Sequence, residues 1–184
     1  DISKRAFKNE GPARCIDAMS PQVQAGNSFP AADPGFAALP VAELLASAED
    51  LIARIRLCFG IDRGSFDSDV QPLLHRYAAY VHLLPATADN YFSAPGGLLR
   101  LGLEVAFFSL QGTDAHIFSG RSTISARRQL EPRWRQATFI GGLCCELHRV
   151  LSHVIVTDAG GDEWPAYLHP LADWLARRGA DRYF

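Results

Sequence analysis

The sequence predicts an all-α domain, and three observations predict it. Apolar residues recur at intervals of three and four from about residue 41 to residue 175, the spacing that lines one face of a helix. Alternating, strand-like runs are nearly absent, with one short extended piece near residues 154–164. Glycine and proline fall between the periodic runs, where they punctuate helices.

The elements follow in order. Residues 1–38 are rich in Pro, Gly, Ala, Ser and Asn without a sustained period, and read as a mobile N-terminal arm ahead of a domain over 39–184. "VAELLASAEDLIARIRLCFG" places Leu44, Leu45, Leu51, Ile52, Ile55 and Phe59 on one helical face, with Gly60 as its stop. "SFDSDVQPLLHRYAAYVHLL" lines up Leu73, Leu74, Tyr77, Tyr80, Val81 and Leu84; Ser65 or Asp67 would cap it and Pro85 would close it. "ATADNYFSAPGG" has the composition of a loop.

"LLRLGLEVAFFSL" is apolar on nearly every side and predicts a central buried helix, with Arg100 and Glu104 placed to pair. Residues 111–130 read as a polar connection. Pro132 stands where a first helical turn accepts proline, opening a long helix through "RWRQATFIGGLCCELHRVLSHV". Gly141 and Gly142 weaken that helix by roughly 1 kcal/mol each, so a close crossing with the preceding apolar helix is their expected use. After a short extended piece and turn, "PAYLHPLADWLARRG" predicts a last helix with Leu168, Leu171, Trp174 and Leu175 inward. The whole is a helical bundle with room for one short extended hairpin, its central pair spanning 97–111 and 132–153.

Composition sets limits. The chain has 184 residues, 48% of them apolar, and a net charge of −2. One packed domain is expected, and a surface for nucleic acid would have to be local. No apolar run reaches the about 20 residues that span a bilayer, so no membrane association is expected. The four cysteines, two of them adjacent, suit reduced thiols in a cytoplasmic protein better than a disulfide framework.

"LCCELHR" at 143–149 concentrates the chemical residues. On a helix, Cys144 or Cys145 could share an ion with His148, and Glu146 shares a face with His153. Three or four converging ligands are needed, so His75, His82, Asp158 or His169 would have to help. The plainer reading makes the cysteines small packing residues in a helix. A nucleophilic thiol beside His148 and Arg149 is a further option, although mid-helix thiols are poorly accessible. Arg121, Arg127, Arg128, Arg133 and Arg135, with Trp134 among them, form either a phosphate-and-base surface or a solvated stretch around a buried Trp134. P-loop, dinucleotide and nucleophile-elbow motifs are absent.

"PGFAALPVAELLASAEDLIARIRL", "LLHRYAAYVHLLPAT", "APGGLLRLGLEVAFFSL", "EPRWRQATFIGGL" and "VTDAGGDEW", in this order over about residues 34–184, resemble the N-terminal domain of MobH-class conjugative relaxases, the TraI-type proteins of integrating conjugative elements. The resemblance implies a helical, HD-hydrolase-like domain of bacterial cytoplasmic origin that nicks DNA at a transfer origin with a divalent metal. It also implies that the metal site is degenerate. Three consecutive histidines of the family fall on Asn90, Tyr91 and Phe92, and a further one on Leu101. A His-Asp doublet falls on Cys145 and Glu146, its following lysine on Arg149, and a later aspartate on His153; the aspartate of "VTD" is kept as Asp158.

The expectation is therefore a non-catalytic, relaxase-like binding module with no cofactor. Its partners would be DNA or conjugation proteins. Cys145, Glu146, His153 and Asp158 are its remnant site, with Arg149 or Arg100 available to pair with Glu146. The alternatives are a metal-dependent DNA-nicking enzyme using Cys145, Glu146, His148 and Asp158, and a DNA-binding accessory using the five arginines. The family's members continue past "DWLARRG"; a helical domain that stops near there leaves apolar faces uncovered, and a homodimer is the expected remedy.

Overall fold

The computed structural model describes residues 34–115 and 123–184. Arg121 and most of the predicted arm lie outside them. The described residues are mostly helical, as the periodicity predicts. The helices are α1 (Val41–Ala46), α2 (Glu49–Phe59), α3 (Arg63–Asp69), α4 (Gln71–Val81), α5 (Gly97–Ala115), α6 (Ile124–Cys144), α7 (His148–Ser152) and α8 (Leu171–Arg178). Two short strands, β1 (Phe36–Ala37) and β2 (Arg182–Tyr183), pair antiparallel. Among the described residues no helix is long and apolar enough to cross a membrane.

Local chemistry sets the boundaries, and several differ from expectation. The first periodic run is two helices. Ser47 turns its hydroxyl back onto Leu44 O at 2.7 Å, and Glu49 and Asp50 open α2, where carboxylates complement the helix dipole. Gly60 ends α2 at φ 65°, a left-handed position that glycine takes without penalty. The cap of α3 is Asp62, which accepts from Ser65 N at 3.0 Å and Ser65 Oγ at 2.6 Å; Ser65 is its donor and Asp67 has no part in it. Pro132 lies inside α6, because Thr123 accepts from Ala126 N and starts the helix earlier. The proline is exposed, so the backbone rung it removes is lost at the surface. Leu168 precedes α8 and is 72% exposed, whereas Leu171, Trp174 and Leu175 are buried as expected.

The core is built on α5. Its buried face carries Leu98, Leu99, Leu103, Ala106, Phe107 and Leu110, against α2 and α6. Phe139 of α6 meets Phe59 edge-on at 5.1 Å. The predicted glycine crossing is real at Gly142: a Cβ there would lie 2.9 Å from Ala106 Cα and 2.7 Å from Ser109 Oγ. Gly141 meets nothing within 4 Å and has no part in it. On α5, Gly102 makes the matching room, since a Cβ would fall 2.0 Å from the Tyr77 hydroxyl.

The two ends of the described domain meet. Phe36 pairs with Tyr183 in the β ladder, and Asp158 bridges to Tyr183 on the other side. Phe36 and Ala37, assigned by composition to the arm, thus belong to the fold. His82 joins this sheet to α4. It is 1% exposed and holds φ 47°, rare for a residue with a Cβ. The helix α4 therefore ends at Val81, before Pro85 is reached. Nδ1 of His82 lies 2.9 Å from the Tyr183 hydroxyl, and Nε2 lies 3.0 Å from Leu39 O. Leu39 N–H also lies 3.2 Å from Nε2, so the ring's tautomer sets whether Nε2 donates to Leu39 O or accepts from Leu39 N, while the Tyr183 hydroxyl accepts from Leu83 N at 3.1 Å.

Two outcomes test the packing. Gly142→Val drives a branched side chain into Ala106 and Ser109, so it should lower stability by about 1–3 kcal/mol in urea denaturation. Burial holds the His82 imidazole below its ordinary pKa, with the Leu39 hydrogen bond opposing in part. The fold therefore favours the neutral ring: its contribution is complete above about pH 6.5 and declines as pH falls toward the depressed folded value. The urea midpoint should drop as pH falls below about 6.5, and His82→Asn should flatten that slope.

Candidate functional site

The residues singled out by sequence surround the turn between α6 and α7. Gly142 brings α6 onto α5, and the chain leaves the helix at once: Cys145 is its C-cap, Glu146 and Leu147 form the turn, and His148 begins α7. Cys144 and Cys145 are exposed rather than enclosed in mid-helix. Partial burial pushes both thiols up, and the charges of Glu146 and Cys144 push Cys145 further. A raised thiol holds little thiolate near neutrality, the reverse of an activated nucleophile.

Glu146 forms an ion pair with Arg149 one turn on, as the sequence suggested, while Arg100 pairs with Glu104 at 2.9 Å. The His148 Nδ1 lies 3.2 Å from Cys145 O. His153 Nδ1 lies 2.6 Å from Ser152 Oγ, and the two imidazoles stand 6.3 Å apart, edge to face.

Beneath the turn lies Tyr77, which the sequence offered only as a helix-face residue. Its hydroxyl donates to Leu98 O at 3.0 Å and occupies the space left by Gly102 beside Leu143 O. Burial pushes its phenol up, with the charges of Cys144, Cys145 and Glu146 adding to the effect. The only sequence signal for this placement was the missing Cβ at Gly102. A neutral phenol thus stands under the one cluster of polar groups the turn collects.

The remaining positions serve other contacts. Asn90 Oδ1 accepts from Phe92 N at 3.0 Å and shapes the loop. Tyr91 is 70% exposed with the Arg100 guanidinium 5.7 Å over its ring. Phe92 and Leu101 pack against the core. Asp158 is 6% exposed, and its Oδ1 accepts from Gly160 N at 2.9 Å and Asp162 N at 3.0 Å. Arg178 of α8 pairs with its other oxygen. Burial pushes this carboxyl up, but the Asp162 amide, Arg178 and the Gly160 amide together hold it below the ordinary range.

Among the described residues no three His, Cys, Asp or Glu side chains converge as metal ligands. His75 is exposed, His82 lies in the core network, and His169 Nε2 lies 3.0 Å from Arg177. A hard divalent ion needs several oxygen or nitrogen donors within about 2.0–2.6 Å.

The arginines divide. Arg135 turns inward: it donates to Thr113 Oγ1 at 2.8 Å and Cys58 O at 2.6 Å, pairs with Asp114, and has a side chain only 17% exposed. It borders a cavity of about 520 Å³ shared with Arg128, Glu131 and Pro132. Arg127 lies 3.7 Å from Glu131 on the helix surface. Arg127, Arg128 and Arg133 are exposed, and Trp134 is half-buried.

These features describe an all-α domain whose polar groups around the α6–α7 turn and at Asp158 are held largely by contacts within the protein. A family model assigns it: the chain belongs to the TraI_2 family, described as "Putative helicase", which matches residues 35–184. No curated protein and no solved structure matches the chain.

The division among the arginines has a measurable outcome. Arg135→Ala leaves Thr113 and Cys58 O without their charged donor and should cost about 1.5–3 kcal/mol. Arg128→Ala and Arg133→Ala should each stay within about 0.5 kcal/mol of the parent. Urea denaturation of the three variants checks the ordering.

Proposed function

We propose that this domain is a non-catalytic binding module of conjugative-element machinery, an HD-hydrolase-like relaxase relative acting in the bacterial cytoplasm on conjugation proteins or DNA. The observation that carries the reading is Asp158. It is the aspartate kept from the resembled pattern, and its carboxylate is committed to two backbone amides and Arg178. The partner doublet, Cys145 and Glu146, lies at a turn where Glu146 is neutralised by Arg149. With Leu101 and Phe92 at two further positions and packed on the core, too few donors remain to cage a hard cation. Family membership supports the conjugation-related setting.

A second reading, a DNA-binding accessory, rests on the exposed Arg127, Arg128 and Arg133 along α6. It needs no metal, and Arg135 is not part of it.

Elemental analysis and plasmid nicking decide the first reading. The purified chain should carry no stoichiometric metal, and a supercoiled transfer-origin plasmid with added Mg²⁺ or Mn²⁺ should stay intact. One tightly held ion per chain, released by Cys145→Ala or Glu146→Ala with the helical signal unchanged, would establish the metal-dependent nicking enzyme instead. For the accessory reading, DNA affinity should fall steeply with salt, and Arg128→Ala with Arg133→Ala should each reduce the log–log slope by about 1.

A further inference from the structure

A cavity of about 210 Å³ opens where the turn between α1 and α2 meets the start of α5. Its floor is aliphatic: Leu44, Leu51 and Leu99 line it, and each is buried. Its exposed lining carries one charge of each sign, Asp50 from the first turn of α2 and Arg100 from α5. The two do not pair with each other. Arg100 uses Nε on Glu104 at 2.9 Å, and its terminal nitrogens hold no hydrogen bond among the described residues. The Asp50 carboxylate has neither an ion pair nor a hydrogen bond there. They nevertheless share one electrostatic neighbourhood: the hydrogen bond with Glu104 raises the guanidinium pKa most, and the Asp50 charge adds to it. Ser47, also in the lining, spends its hydroxyl proton on Leu44 O at 2.7 Å and keeps its lone pairs free to accept.

We infer that this cavity binds a free aliphatic α-amino acid of about the size of leucine. A purely anionic ligand would meet Asp50 and a purely cationic one would meet Arg100, so fixed charges of opposite sign select a ligand that carries both. A zwitterion bridges two groups that stand too far apart to pair directly. Its ammonium donates to the Asp50 carboxylate and the Ser47 hydroxyl, and its carboxylate accepts from the terminal nitrogens of Arg100. The leucine floor takes an aliphatic side chain and would leave a polar one without partners. Size sets the remaining limit. The cavity is smaller than the roughly 300–1,000 Å³ that holds drug-sized ligands, so it suits a molecule of about nine non-hydrogen atoms. So few atoms at a water-facing mouth give a dissociation constant on the order of 1 mM.

This site does not depend on the reading of the remnant site, and metal, nicking or DNA results leave it unaffected. Titration of the full chain with L-leucine, followed by amide NMR, tests it. The signals of Ser47, Asp50, Gly96 and Arg100 should move saturably up to about 20 mM, well above the expected constant. Leucinamide lacks the carboxylate, N-acetyl-leucine lacks the ammonium and glycine lacks the aliphatic arm; each should bind at least about ten-fold more weakly. Asp50→Asn and Arg100→Gln should each weaken leucine binding by about ten-fold or more with an unchanged helical signal. Arg63→Gln, on the surface of α3 and outside the lining, should bind as the parent does. The analogues probe the same two charged contacts without altering the fold. A parent without saturable shifts overturns the inference. So does binding that survives Asp50→Asn, or an affinity for leucinamide or N-acetyl-leucine equal to that for leucine.

Discussion

One buried imidazole determines how this domain is tied together. His82 sits where α4 must end, and its ring reaches Leu39 at one end of the domain and Tyr183 at the other. Its backbone adopts a left-handed conformation of the kind that costs of order 1–3 kcal/mol and persists only where surroundings impose it. The hydrogen bonds of the ring and the burial of Tyr183 are those surroundings. Because α4 stops there, the chain can turn through Leu83 and Leu84 and return along the loop to Gly97. A Cβ at Gly97 would lie 2.0 Å from Phe92 O, so the loop closes directly on the start of α5. The position of the central helix therefore follows from a side chain that the sequence marks only as one more histidine.

The polar groups singled out by the sequence share one physical pattern. The carboxylates and the amide among them have partners within the protein. Glu146 has Arg149, Asp158 has Arg178 and two amides, and Asn90 has the amide of Phe92. Leu101 and Phe92 pack on the core, and the Tyr77 phenol fills space with its hydroxyl satisfied by Leu98 O. Unpaired charge in such a place would be costly, and the fold avoids it locally at each position.

What could be read in the sequence was what depends on spacing. The order of helices, the central pairing, the Gly60 stop and the Arg100–Glu104 pair all follow from neighbours three or four residues away. The close crossing was also legible, because two glycines in a helix ask for a reason, although periodicity could not say which one faces Ala106. What failed depends on distant partners or on competing local signals. Ser65 looked like a cap, yet Asp62 accepts from it. Pro132 looked like a helix start, yet Thr123 provides one earlier. Leu168 fitted the phase of α8 but lies ahead of Pro170, where the helix has not begun. Asp158 and Arg135 looked available for chemistry, and only the fold shows the groups that hold them.

The strand pair that joins Phe36 to Tyr183 also decides how the domain would respond to force. The two strands run in opposite directions, so the chain enters and leaves at one edge of the molecule. Tension applied through both ends opens such a pair like a zipper, rung by rung, without loading several hydrogen bonds in shear. The rungs are few, and behind them stands the junction of Tyr183, His82 and Leu83. Tyr183 is fully buried in the core and Phe184 exchanges two backbone hydrogen bonds with Thr157, so a tug on the last strand is transmitted directly to the hydrophobic interior and to the end of α4.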